Sequence, residues 1–184
     1  MKRIIHPHFI LLSTILLPVI SDASESSGDR AEDHHSIVRA IAECSQRGDA
    51  ELAIEGCTVI IRSTLLNAEL MAKAYNNRGN AYDLKGQLDH SIIDYTKAIE
   101  LSPHYANAYF NRGYSYARKN KFDLAIADFD KTIVLKPNLA LAYNSRGYVY
   151  EQKGQLDSAL LNYSKAIQLE AEFLIACINR DQLF

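Results

Sequence analysis

Cysteine is scarce in this 184-residue chain: there are three, and no two stand as C-x-x-C, which excludes the usual dithiol redox motif. No G-x-S-x-G, H-E-x-x-H or phosphate loop occurs either, so an enzyme reading has no residues to rest on. There is no basic excess, with 20 Lys and Arg against 22 Asp and Glu, and hence no nucleic-acid footprint. His34 and His35 have no spaced ligands near them, and His90 and His104 are scattered; no metal or other cofactor is expected. Long apolar runs are missing as well. The one candidate, Phe9 to Ile20, is too short to span a bilayer comfortably.

That short run carries other information. Lys2-Arg3 precede it and Ser21-Asp22-Ala23 follow it, the charged, apolar and small-residue order of a secretory signal. Residues 1–23 are therefore expected to be a signal peptide cleaved after Ala23, with the product exported to the periplasm or secreted and not stably inserted in the membrane. Retention as an anchor stays open. An oxidising compartment would permit a disulfide, and three cysteines allow one bridge and one leftover. Residues 24–36, "SESSGDRAEDHHS", show no apolar periodicity and are expected to be a flexible linker.

From Ala72 onward one pattern returns with a period of 34: "YNNRGNAY" from Tyr75, "YFNRGYSY" from Tyr109, "YNSRGYVY" from Tyr143 and a fading "CINRDQLF" from Cys177. Each unit holds two helix-length patterns separated by "LKGQLD", "KNKFD" or "QKGQLD", so each predicts a helical hairpin. Tyr75, Gly79 and Tyr82 lie at i, i+4 and i+7, one stripe of the first helix. Leu88, Ser91, Tyr95 and Ile99 form the facing stripe of the second, and the columns recur as Phe122, Ala125, Phe129, Ile133 and Leu156, Ala159, Tyr163, Ile167. Pro103 and Pro137 follow the second helices, where a residue lacking an N–H ends a hairpin. Arg78, Arg112 and Arg146 edge the packed stripe; their guanidinium forks suit a phosphate or carboxylate, but the expected role is structural, with the stem over the core and the head near water or helix carbonyls.

These columns resemble the tetratricopeptide repeat family: the period, the glycine and alanine columns, the aromatics Tyr82, Tyr116 and Tyr150, and the two prolines all fit its pattern. The resemblance implies an all-α fold, an α-solenoid of stacked antiparallel helical hairpins. Three full repeats are expected at 72–105, 106–139 and 140–173. Ahead of them, 37–71 reads as a degenerate hairpin aligned at an offset of 38, so that Ala53 takes the small column of Ser91 and Cys57 the place of Tyr95. Behind them, 174–184 reads as a partial repeat or capping helix. Ala171 stands where the prolines stood, so the helix ending near Leu169 is expected to run into the tail.

In proteins of this kind the face opposite the packed stripe lines a concave groove, so the resemblance implies a peptide-binding surface. The first repeat brings Lys73, Asn76, Asn77, Asn80, Asp83 and Leu84 to that face. The second adds Asn107, Phe110, Asn111, Tyr114 and Arg118, and the third Leu141, Asn144, Ser145, Tyr148, Glu151 and Gln152. Asparagine pairs with peptide backbone through both donor and acceptor, and tyrosine adds contact area with a polar tip. Relatives that grip a C-terminal carboxylate need basic groups where Leu141 and Ser145 stand, so that specialisation is not expected here. The expected function is a non-enzymatic protein–protein interaction module, an adaptor or assembly scaffold with an unidentified protein or peptide partner. A self-associating scaffold, a homo-oligomer, is the alternative, and a thiol-based redox protein a more distant one. The same alignment puts Cys44 at the place of Tyr82 and Cys57 at that of Tyr95, and export makes a Cys44–Cys57 disulfide the expectation, with Cys177 a free, largely buried thiol.

Overall fold

The computed structural model describes residues 28–46, 48–63, 66–170 and 179–180. The expected signal segment and Cys177 lie outside them. Among the described residues the chain is helical throughout and runs α1 (Gly28–Cys44), α2 (Ala50–Arg62), α3 (Ala68–Leu84), α4 (Leu88–Leu101), α5 (Ala106–Arg118), α6 (Phe122–Leu135), α7 (Ala140–Gln152) and α8 (Leu156–Leu169). The helices pack as consecutive antiparallel pairs, and each pair then packs on the next. None of the described helices is long and apolar enough to cross a membrane.

Local chemistry explains the hairpins. Asp49 caps α2 by accepting from the Glu51 and Leu52 amides, and Asn67 caps α3 through the Leu70 amide, which satisfies donors a helix start leaves open. Within the three regular hairpins the turn needs one residue in the left-handed region. Gly86 and Gly154 take it at φ 73°, and Asn120, midway between them in the chain, at φ 56°. Asparagine is the side chain that tolerates that conformation best after glycine.

Two boundaries differ from expectation. Helix α1 starts at Gly28, inside the stretch read as a linker. The polar stretch runs straight into Ile37, Val38 and Ile41 of the same helix, so it is helical as the opening turns of a longer element, where most of the stability comes from the packed part, and not through an apolar stripe of its own. At the other end α8 stops at Leu169 without a proline: Glu170 is extended, at φ −143° and ψ 96°.

The core lies between the facing stripes. Tyr95, Phe129 and Tyr163 of the second helices are fully buried, as are Ala98, Ala125, Ala159 and Ala166. A side chain at Gly79 would put its Cβ 2.6 Å from the Tyr95 ring, and one at Gly147 would come within 2.8 Å of Tyr163. Glycine there lets the ring of the second helix lie against the backbone of the first. In the first hairpin the roles reverse. Gly56 of α2 lies against Ala40 and Cys44 of α1, where any Cβ would fall within 2.7 Å of backbone. That close approach brings Cys44 and Cys57 together in a disulfide, with Cα atoms 4.5 Å apart.

Candidate functional site

Successive first helices touch one another, α1 with α3, α3 with α5 and α5 with α7. The second helices make no comparable contact among the described residues, so the first helices line the inner side of the array. What holds them in place is a set of hydrogen bonds that repeats with the sequence period.

The arginine column is the clearest case. Arg78 forks onto Asp94 at 2.7 and 2.8 Å and reaches back to Thr58 Oγ1 at 3.0 Å. Arg112 forks onto Asp128, both bonds 2.8 Å, and reaches Thr96 Oγ1 at 3.1 Å. Arg146 bonds Asn162 Oδ1 at 2.8 Å and reaches back to Asp130. Each guanidinium thus ties the two helices of its own hairpin and the preceding second helix. Tyr75 and Tyr82 flank Arg78 with ring centroids 5.5 and 5.9 Å from its guanidinium carbon, and Tyr109 and Tyr116 flank Arg112 at 5.8 Å each, within cation–π range. Hydrogen bonding to Asp94 and Asp128 raises both arginines above their ordinary range, with burial opposing. Burial pushes the Asp128 carboxyl up, and the Arg112 fork holds back that rise. The sequence reading did not find these partners, although Asp94, Asp128 and Asn162 all stand at i+16 from their arginines.

The face expected to bind divides into a buried layer and an exposed one. Asn76, Asn80, Asp83, Phe110 and Asn144 are buried. Asn111 Nδ2 bridges Asn76 Oδ1 at 3.0 Å and Asn80 Oδ1 at 2.9 Å, and Tyr95 donates to the same Asn80 oxygen at 2.8 Å. Asn179 donates to Asn144 Oδ1 at 3.1 Å. Arg118 bonds Asp83 Oδ2 at 2.6 Å, and Ser115 donates to Asp83 Oδ1 at 3.0 Å. The asparagine column therefore serves first as stitching between repeats, because a buried amide must find partners. Lys73, Asn77, Asn107, Asn111, Tyr114, Arg118, Ser145, Tyr148 and Glu151 remain half-exposed above that layer, with Leu84 and Gln152 exposed. Lys73 bonds Glu69, Asn107 accepts from Lys136, and Glu151 accepts from Tyr163. Burial raises the Tyr114 hydroxyl to about 12.

Family comparison bears directly on this arrangement. A tetratricopeptide repeat model matches residues 72–105 and 106–139, and a second model of that description matches 140–173. The chain belongs to the tetratricopeptide repeat family. Comparison with curated proteins yields no match. Among solved structures, the array is similar to crystalline MamA, with 29% identity over 78% of this chain and 81% of that one and a TM-score of 0.67. It is also similar to the first repeat domain of Spaghetti (RPAP3) bound to an HSP90 peptide, with 25% identity, coverage of 65% and 94%, and a TM-score of 0.62. The second repeat domain of human RPAP3, solved with an HSP70 peptide, shares the fold at 23% identity, with coverage of 64% and 98% and a TM-score of 0.61. Tetratricopeptide arrays are interaction modules, and the tyrosine, glycine and arginine columns of this one are its scaffold.

Proposed function

We propose that the chain is an exported, non-enzymatic adaptor that binds an extended segment of a partner protein along the inner face of its first helices. The observation that carries this reading is the layering of that face. Half-exposed amide, tyrosine and cationic groups stand on three successive first helices, above asparagines that join α3 to α5 and α7 to Asn179. A surface ordered before binding loses little conformational entropy on binding. The Spaghetti (RPAP3) neighbour, solved with a peptide, supports this use of the fold. Leu141 and Ser145 supply no cation in the third repeat, so the partner is read along its backbone and side chains, not by its terminal carboxylate. Export rests on the Lys2-Arg3, apolar and Ser21-Asp22-Ala23 order, and a cystine in the first hairpin agrees with an oxidising compartment.

Replacing Asn107, Tyr114 and Tyr148 together by alanine tests the proposal. Partner capture should be lost while the helical signal persists; unchanged capture by a folded variant would refute it. A second reading, self-association, is favoured by Val134 and Leu161, 74% and 72% exposed on the outer helices. Light scattering over a dilution series separates the two.

A further inference from the structure

Where the array begins, the inner face is interrupted by an apolar cleft between α1 and α3. Ile41, Ile60, Leu66, Leu70 and Ala74 form its walls, and it opens to solvent on one side. Cys44, half of the disulfide, also lines it. Leu66 belongs to the connector between α2 and α3, and Leu70 to an extra first turn of α3, which begins four residues ahead of the position that the period of 34 assigns to it. The cleft therefore coincides with the one junction between described hairpins that departs from the period.

The rim indicates what the cleft would take. Lys73 Nζ is held by Glu69 Oε1 at 2.6 Å, so the charges at the mouth balance and a carboxylate gains little by approaching. Asn77 differs from the asparagines that join repeats. Asn76, Asn80, Asn111 and Asn144 are joined to partners between repeats, whereas the Asn77 amide meets only Cys44 Sγ among the described residues, at 4.0 Å. Sulfur is a weak acceptor. A carboxamide with donor and acceptor to spare at the mouth of an apolar, charge-balanced cleft matches a peptide bond flanking a large aliphatic side chain.

Taking the inner face as the peptide surface, we infer that this cleft is the anchor pocket for one leucine-like side chain of the partner segment, with Asn77 bonding that residue's backbone. An apolar anchor with a polar rim is how few residues come to dominate a peptide interface. Specificity then comes from the degenerate first hairpin, because Ile41 and Ile60 belong to it and the regular repeats supply the rest of the face.

The test is an amide NMR titration of the disulfide-bonded chain with N-acetylated, C-amidated Gly-Gly-Ser-Leu-Ser-Gly-Gly, alongside its analogue with aspartate in place of leucine. The leucine peptide should shift the Ile41, Leu70 and Asn77 resonances, and the aspartate peptide should not. Asn77→Ala should weaken the leucine peptide about tenfold, the loss of roughly one good hydrogen-bond pair. Ser45→Phe, placed at an exposed rim position, should abolish the shifts without lowering Tm. Equal response to both peptides, or binding that survives Ser45→Phe, would overturn the inference. Shifts confined to Tyr114 and Tyr148 would remove the anchor pocket and leave the inner face in place; no shifts anywhere on that face would count against both.

Discussion

Arg112 holds Asp128 by two parallel hydrogen bonds, Nε to Oδ2 and Nη2 to Oδ1, each 2.8 Å, across the two helices of one hairpin. Both groups are largely withdrawn from water, with side-chain exposures of 17% and 7%. Breaking such a pair from one side leaves a buried charge, whereas replacing both ends with apolar groups removes the penalty along with the attraction. Arg112→Leu should therefore destabilise by about 3–5 kcal/mol, and Arg112→Leu with Asp128→Leu by clearly less. Urea denaturation of the two variants measures the difference. A double variant no more stable than the single one would show that the pair is not the source of the cost.

The glycine columns are graded by how close the facing ring lies. Gly79 and Gly147 leave 2.6 and 2.8 Å between an added Cβ and a tyrosine ring, whereas Gly113 leaves 3.1 Å to Phe129 and the Asp128 Cβ. Gly79→Ala and Gly147→Ala should each cost about 1–3 kcal/mol through overpacking, and Gly113→Ala less than either. Indistinguishable denaturation midpoints for the three would mean that ring contact does not set the requirement for glycine.

Reduction of the Cys44–Cys57 bond should act locally. A cross-link of this span contributes about 3 kcal/mol in the chain-entropy picture, and it joins α1 to α2 at the end of the array. Hydrogen exchange after reduction should accelerate in α1 and α2 and leave α5 to α8 unchanged, because stability in a repeat array is largely nearest-neighbour. Uniform acceleration along the chain would contradict that locality.

Alkali should unfold the chain through its tyrosines. Burial raises Tyr105 and Tyr114 to about 12 from an ordinary value of 10.0, and it holds Tyr95 well above its ordinary value too. Folded tyrosines keep their protons where unfolded ones release them, so their stabilisation is complete below the unfolded value and is lost as pH climbs from 10.0 through about 12. Part of the phenolate absorbance should appear only together with loss of helix. Tyr105→Phe should flatten the slope of stability against pH in that window; an unchanged slope would remove Tyr105 from the explanation.

Much of this was legible from spacing alone, and the reason is physical. A fixed period forces equivalent positions into equivalent environments, so the spacing alone places Gly79, Gly113 and Gly147 in one packed column. The facing positions of Cys44 and Cys57 followed from the same alignment. Side-chain direction was harder to read. Asn76, Asn80 and Asn144 lie on the expected face, but they are buried against neighbouring repeats, because helix period assigns a face without telling how closely the next helix approaches. Asp94 and Asp128 were missed as partners of arginine because their role crosses between helices, although their constant interval from Arg78 and Arg112 was visible. The cleft beside Asn77 lies where α3 begins four residues early, a departure that periodicity cannot describe.

Recognition by the inner face is tested most directly by photo-crosslinking in cells. A photoreactive residue placed at Tyr148, half-exposed on α7, reports on the inner side, and one at Leu161, 72% exposed on α8, reports on the outer side of the same repeat. Binding along the first helices predicts a discrete adduct with a partner protein from Tyr148 and none from Leu161. Adducts from Leu161 alone would contradict it.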